Sequence, residues 1–221
     1  ANEGVYLDVR HLGKEFLLKS SPGMYERCLT VGTDMETDLI EVTPTAHFQM
    51  GGVRIDSECR TSLAGLFAAG EDAGGVHGAN RLGGNGVAES MVFGAVAGET
   101  MAKHVKKNAR RPIDSDRLNR LSARLQGSAE VTGEPYRLKS RLRAMSWEYL
   151  GILRDAQGLA RVEQELNLIE SELNKLPMPN RRGGNPDLHE RLDAENLVDV
   201  ARLIAAAAML REESRGSHFR E

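Results

Sequence analysis

The thirty residues from Gly65 to Gly94, GLFAAGEDAGGVHGANRLGGNGVAESMVFG, carry nine glycines, including the pairs Gly74-Gly75 and Gly83-Gly84. Glycine is used this densely where the backbone must adopt positive φ or lie close to another molecule. The pattern predicts a short apolar strand over Leu66, Phe67, Ala68 and Ala69, a Gly70-Glu71 turn, a turn-rich run, and a helix from about Asn85. A helix entered directly from paired glycines presents unpaired N–H groups and the positive end of its dipole. A negatively charged or electron-rich ligand suits such an end. Arg81 sits among these glycines with His77 and Asn80 close by, so the stretch outlines a site for a cofactor and an anion.

The 221 residues suffice for one large or two modest domains. With a formal net charge of −3, the chain offers no polybasic surface for nucleic acid or an anionic membrane. Its longest apolar run, Leu203 to Leu210, is far too short to span a bilayer, and no signal-peptide pattern opens the chain. Two cysteines, Cys28 and Cys59, make neither a disulfide framework nor a metal-ligand cluster. A reducing, cytoplasmic compartment fits these features. Ala1-Asn2-Glu3-Gly4 has no initiator Met and runs at once into the strand-like VYLDV. That reads as a chain beginning in the middle of a fold, although a cleaved tag or a processed N-terminus gives the same start.

Val5 to Val9 suits a strand, rich in β-branched and aromatic residues. His11 to Lys19 suits a short helix, broken by Ser20-Ser21-Pro22-Gly23, and residues 24–34 a second one. Asp38 to Thr43 is expected to be extended, since Pro44 biases Thr43 away from helix. TPTAHFQMGGVRID, from Thr43 to Asp56, reads as a loop entering a strand at Val53–Ile55, with His47 among small and apolar neighbours. The helix from Asn85 to about Lys106 has a small-residue side (Gly94, Ala95, Ala97, Gly98), as a buried helix of an α/β layer would. A basic, Pro-containing stretch at Asn108–Asp114, including Arg110-Arg111, marks a domain boundary and solvated linker. Beyond it helix formers dominate. Helices are expected over Asp116–Gln126, Glu134–Arg154 and Leu188–Glu213, the first of them stopped by Gly127. From Leu159 onward, Leu159, Val162, Leu166, Ile169, Leu173 and Leu176 recur at alternating spacings of three and four, an amphipathic stripe of near-heptad period. A loop with Arg181-Arg182-Gly183-Gly184 follows. Three or four antiparallel helices joined by short loops make a bundle.

PTAHFQMGG (Pro44 to Gly52), GLFAAGE (Gly65 to Glu71), HGANRLGGNGVAE (His77 to Glu89) and ESRGSHFRE (Glu213 to Glu221) together resemble the flavoprotein subunits of the succinate dehydrogenase and fumarate reductase family, which includes L-aspartate oxidase. The likeness runs through the whole chain in order. It implies an α/β segment, the return part of a Rossmann-like FAD-binding domain with a capping-domain remnant, followed by an all-α helical bundle. On that pattern residues 1–42 are the end of the capping domain, 43–107 the C-terminal segment of the FAD-binding domain, and 108–221 the helical domain. The GxGxxG-bearing nucleotide turn, the histidine that some members link to FAD, and the proton-delivering arginine are expected upstream. No catalytic residue is therefore assigned here.

Dicarboxylates need a cationic or hydrogen-bonding partner for each carboxylate. Arg81 offers a planar fork for bidentate binding, and His47 an N–H donor. Read from the residues alone, His47 suits a satisfied loop histidine better than a ligand, and Arg81 suits a structural ion pair as well as a ligand; the resemblance implies that both bind substrate. It further implies that Glu71 contacts the ribityl chain of FAD. Gly86 and Val87, in the first helical turn, are implied to offer backbone N–H groups to the electron-rich edge of the flavin. His77 could order the Arg81 loop. The ESRG segment is read as structural, tying the tail to the body. After Glu71 the chain reads Asp72-Ala73-Gly74-Gly75-Val76, where several respiratory members carry a cysteine, and this departure favours a soluble relative.

The reading that follows is an FAD-dependent oxidoreductase that moves a hydride between flavin and a succinate or fumarate carbon. L-aspartate oxidase or another small-acid dehydrogenase is the alternative within the enzymes. An interaction module, docking a separate N-terminal FAD-binding half or an iron–sulfur subunit, is the alternative outside them. Membrane association would then come only through partner subunits. The isolated chain is expected neither to hold FAD tightly nor to turn over succinate. An absorbance spectrum of the purified chain checks this, and a stoichiometric flavin band would overturn it.

Overall fold

A computed structural model describes residues 4–44, 47–109, 112–127, 133–180 and 184–221. The first three residues, Thr45-Ala46 ahead of His47, the Arg110-Arg111 linker, residues 128–132 and Arg181-Arg182-Gly183 lie outside the described residues. The chain divides into two units, Ala1–Gln49 and Met50–Glu221.

In the first unit, β1 (Val5–Leu7) pairs antiparallel with β2 (Ile40–Val42), placing Val5 opposite Val42 and Leu7 opposite Ile40. Two helices lie between them, α1 (Lys14–Ser20) and α2 (Pro22–Thr30). Pro22 falls in the first turn of α2, where its missing N–H costs nothing. Leu17, Tyr25, Cys28 and Met35 form a small core. The Tyr25 hydroxyl is bonded to the Asp34 carboxylate at 3.0 Å, so the buried ring keeps a partner for its polar end. The pattern of β-branched and apolar residues indicates each of these elements, with ends displaced by a few residues.

The second unit opens with β3 (Val53–Arg54) and β4 (Ala73–Gly74), paired in parallel. Gly52 lies so close to this pair that a Cβ there would run into the Asp72 carbonyl. The strand expected over Leu66–Ala69 is reduced to one bridge between Phe67 and Arg60. A strand needs a ladder to pair with, and among the described residues this segment has only the Arg60 side. The long helix α3 (Asn85–Lys107) matches its expected span. Its small-residue side does not match the expected burial: Ala97 is buried, but Gly94, Ala95 and Gly98 are exposed. A Cβ at Gly94 or Gly98 would meet nothing within 4 Å, so no described part of the chain covers that face.

The helical region contains α4 (Ser115–Leu125), α5 (Glu134–Tyr149), α6 (Ala156–Lys175) and α7 (Pro186–Leu210). The last three pack against one another, while α4 buries no side chain. The core is thus made by three helices. Asp114, Asp155 and Asn185 cap α4, α6 and α7 by accepting from the N–H groups of Arg117, Gly158 and Leu188. Leu159, Val162, Leu166, Ile169 and Leu173 are 0–1% exposed, so the near-heptad stripe is the seam of the bundle. Facing them, α5 supplies Leu138, Leu142 and Met145, and α7 supplies Ala194, Val198, Ala201, Ala205 and Ala208. Alanines along α7 let its backbone approach closely.

Arg141 joins α5 to α6 through Glu165 and Glu172. The Glu172 carboxyl is held below its ordinary range by its hydrogen bonds to Arg137 and Arg141. Helix α5 ends earlier than expected, at Tyr149; Leu153–Arg154 becomes β5 and pairs in parallel with β6 (Phe219–Arg220). Replacing Leu166, fully enclosed by the three helices, with Ala is expected to cost about 2–5 kcal/mol through lost transfer energy and a residual cavity. A thermal or urea melt of the variant measures this loss.

Candidate functional site

The chain from Gly70 to Val87 is short of side chains with which to hold its own shape, and neighbouring elements hold it. At its start, a Cβ on Gly70 would lie 3.2 Å from Ser90 Oγ, and the Ser90 hydroxyl itself donates to the Gly86 carbonyl at 3.0 Å. The turn bearing Glu71 therefore rests on the first two turns of α3. Glu71 is exposed in this turn and precedes β4. It does not end a strand, as expected, because the strand ahead of it is only a bridge.

Further along, the His77 ring lies against Glu89, with Nε2 2.7 Å from the carboxylate oxygen Oε2. The side chains are only 12% and 1% exposed. A carboxylate oxygen can only accept, so His77 Nε2 carries the proton. Two residues on, Ala79 is met by the tail. Gly216 has φ +60°, and a Cβ there would collide with the Ala79 carbonyl oxygen. Only a residue without a side chain can hold this approach and this φ together.

The tail is secured in turn. Arg154 donates from Nε and Nη2 to the Leu150 carbonyl, from Nε to that of Gly151, and from Nη1 to His218 Nδ1 at 2.9 Å. His218 Nε2 donates to the Arg211 carbonyl at 3.0 Å, while Nδ1 accepts from Arg154. Partial burial holds the Arg154 guanidinium below its ordinary value. The ESRG segment ties the tail to the body, as its sequence suggested.

Arg81 stands between these anchors and the helix. It is half-buried, and Nη1 donates to the Leu82 carbonyl at 3.3 Å. Gly84 then takes the left-handed conformation, φ +83°, as the N-cap of α3, and being glycine it supplies no capping side chain. A Cβ at Gly83 or Gly84 would meet nothing within 4 Å. The Val87 side chain is 75% exposed. An uncapped N-terminus beside open space suits an electron-rich planar edge, so the residues present fit the flavin ring that the sequence implied.

Arg81, Gly86 and Val87 thus share one loop–helix junction, with the Glu71 turn packed one helical turn away. His47 belongs to the other unit, on an exposed loop after β2. Sequence reasoning missed Glu89. Its signal was present: an acidic residue one turn into a helix otherwise made there of small and apolar residues. Cys59 was missed as well. It is fully buried at φ +60°, and desolvation pushes its thiol up. Among the described residues no group of three His, Cys, Asp or Glu side chains could hold a metal ion, and no helix is long and apolar enough to cross a membrane.

Residues 1–87 match the FAD binding domain model, and residues 139–221 match the fumarate reductase flavoprotein C-terminal model. The chain belongs to the succinate dehydrogenase/fumarate reductase flavoprotein family of FAD-dependent oxidoreductases, and FAD is the cofactor that this membership indicates. It is 41% identical to one polypeptide of the fumarate reductase (CoM/CoB) of Methanothermobacter marburgensis, over 100% of this chain and 40% of the relative. It is 34% identical to L-aspartate oxidase of Yersinia pestis, over 97% of this chain and 39% of that protein. The Mycobacterium smegmatis Sdh1 complex in the apo form superposes with a TM-score of 0.84 at 33% identity, covering 99% of this chain and 38% of the other. The chain therefore spans about two fifths of the length of the curated relatives it matches.

Gly216→Ala is expected to destabilise the second unit by about 1–3 kcal/mol, the cost of a strained backbone position with no room for a methyl group. A melting curve of the purified chain would show the drop, and unchanged stability would mean that the tail does not bear on Ala79.

Proposed function

We propose that this chain forms the C-terminal part of an FAD-dependent oxidoreductase that interconverts succinate and fumarate. Arg81 is the principal carboxylate-binding residue in this reading. The observation that carries it is the placement of Arg81. A planar cationic fork stands on a loop anchored at His77 and Ala79, and it leads directly into an uncapped helix N-terminus. When bound, FAD supplies the hydride acceptor or donor. The residues of this chain bind and orient. Arg81 pairs with one substrate carboxylate and draws electron density toward it, polarising the carbon–carbon bond. His47 donates an N–H to the other carboxylate. The Gly86 and Val87 amides would offer N–H groups to the electron-rich edge of the flavin, and Glu71 would accept from its ribityl hydroxyls. The protonating group, and the GxGxxG turn that holds the nucleotide, belong to an N-terminal FAD-binding half. An iron–sulfur subunit is a fitting electron partner.

A second reading is supported by the relatives named L-aspartate oxidase. Aspartate has the same four-carbon diacid skeleton, and a fork that binds one carboxylate serves either substrate. The amino group would be recognised by residues outside this site, so turnover of succinate against aspartate separates the two readings.

In the complete flavoprotein, Arg81→Ala is expected to retain flavin and lose dicarboxylate turnover. Removing the cation from a desolvated pair costs on the order of 3–5 kcal/mol, or roughly a hundred- to several-thousandfold in kcat/KM. Steady-state kinetics alongside the visible flavin spectrum reads both quantities. Turnover within tenfold of the parent would place the clamp elsewhere.

A further inference from the structure

Helix α3 buries only three side chains among its described residues, and one of them is a carboxylate. Glu89 is 4% exposed, a position where an apolar residue would avoid the cost of desolvating a charge. Its Oε2 takes the His77 Nε2–H at 2.7 Å, and its Oε1 is buried with no hydrogen-bond partner among the described residues. The helix therefore carries a buried acid whose described hydrogen bonding is spent on a single loop histidine. Loop packing alone does not call for so costly an arrangement, since a small apolar contact would close the same gap.

What the bond reaches is informative. His77 opens the segment His77-Gly78-Ala79-Asn80-Arg81, and Ala79 is the residue against which Gly216 is packed. On the far side of Arg81, the Asn85 N–H donates to the Leu82 carbonyl at 3.3 Å as the chain enters α3. Arg81 is thus bracketed by fixed points on both sides. The Glu89 carboxylate ties the upstream bracket to the same helix that forms the downstream one. The loop that carries the guanidinium is thus joined at both ends to α3.

We propose that Glu89, acting through His77, is a positioning residue for Arg81: the pair sets where the guanidinium stands relative to the N-terminus of α3. This rests on Arg81 being the carboxylate-binding residue. Breaking the pair frees the upstream bracket, and the fork loses its registration with the helix end. Misplacement on the scale of 1 Å is enough to weaken a bidentate contact severely. The substrate's grip should therefore suffer while the flavin, held by groups elsewhere, stays bound.

The test uses the complete flavoprotein with its FAD. Succinate or fumarate is titrated against the visible flavin spectrum to give a Kd, in parallel with kcat, KM, flavin content and melting temperature. Glu89→Leu is expected to raise Kd and KM at least about tenfold with full flavin content. Glu89→Gln keeps an acceptor for the His77 N–H and is expected to change them by less than about threefold. His77→Leu breaks the same bond from the loop side, leaving the helix untouched, and should match Glu89→Leu. The double variant should be no worse than either single one, because two residues acting as a unit are lost once.

A lowered melting temperature with unchanged Kd and KM in the Leu variants would overturn the proposal and leave the pair purely structural. If Glu89→Leu fails to fold, His77→Leu decides by the same criterion. Additive losses in the double variant would also overturn it. Should Arg81→Ala itself leave the succinate Kd unchanged, the carboxylate-binding reading fails, and the Glu89 result then bears only on the loop. Should Arg81→Ala abolish binding while the Glu89 and His77 variants retain it, only the positioning proposal fails.

Discussion

A loop built of glycine can approach a ligand closely because it has no side chains in the way, and for the same reason it cannot hold itself still. Everything in the second unit that bears on Arg81 answers that constraint. Glycine loses more conformational freedom on ordering than any other residue, and the stretch from Gly70 to Gly84 includes six of them. Order is imposed from outside: by Ser90 against Gly70, by Glu89 on His77, and by Gly216 on Ala79. Two of these anchors come from α3 and the third from the far end of the chain.

The three-helix bundle explains how that third anchor is available. The stripe from Leu159 to Leu173 fixes α6 between α5 and α7, and the end of α5 and the residues after α7 are then brought side by side. There β5 pairs with β6, and the Arg154–His218–Arg211 chain of hydrogen bonds closes the junction. The turn at Gly216 projects from this junction onto Ala79. A hydrophobic core distant in sequence thus sets where the tail meets a loop more than a hundred residues before Gly216.

How legible this was depends on what each feature rests on. The α6 seam, the span of α3 and the small β1–α1–α2–β2 unit follow from periodicity and local breakers, which the chain carries in its own residues. Arg81 and the helix end stood out because glycine, a cation and a helix start fall within a few positions. The features that misled were those whose outcome depends on a partner surface. Leu66–Ala69 has strand composition, but pairing is a property of two segments, and among the described residues a single bridge to Arg60 answers it. The small residues of α3 signal close packing, yet no described residue lies against Gly94 or Gly98. Helix α4 has a clear apolar side with Leu118 and Leu121, both of which stay exposed. The pairing of His77 with Glu89 was hidden for a different reason: no periodicity links a loop histidine to a helical acid twelve residues on.

The same geometry bears on how one scaffold can serve relatives named for different substrates. A guanidinium recognises a carboxylate by two parallel hydrogen bonds, and those bonds are blind to the atoms on the next carbon. On the proposed reading, fumarate, succinate and aspartate would present the same group to the fork and differ only beyond it. A loop held rigid from three sides is suited to that shared element, because every diacid needs it in one place relative to the flavin edge. On the proposed reading, discrimination falls to groups facing the middle of the substrate, where these diacids differ. On that reading the part common to these substrates is built on the glycine loop and braced from α3 and the tail.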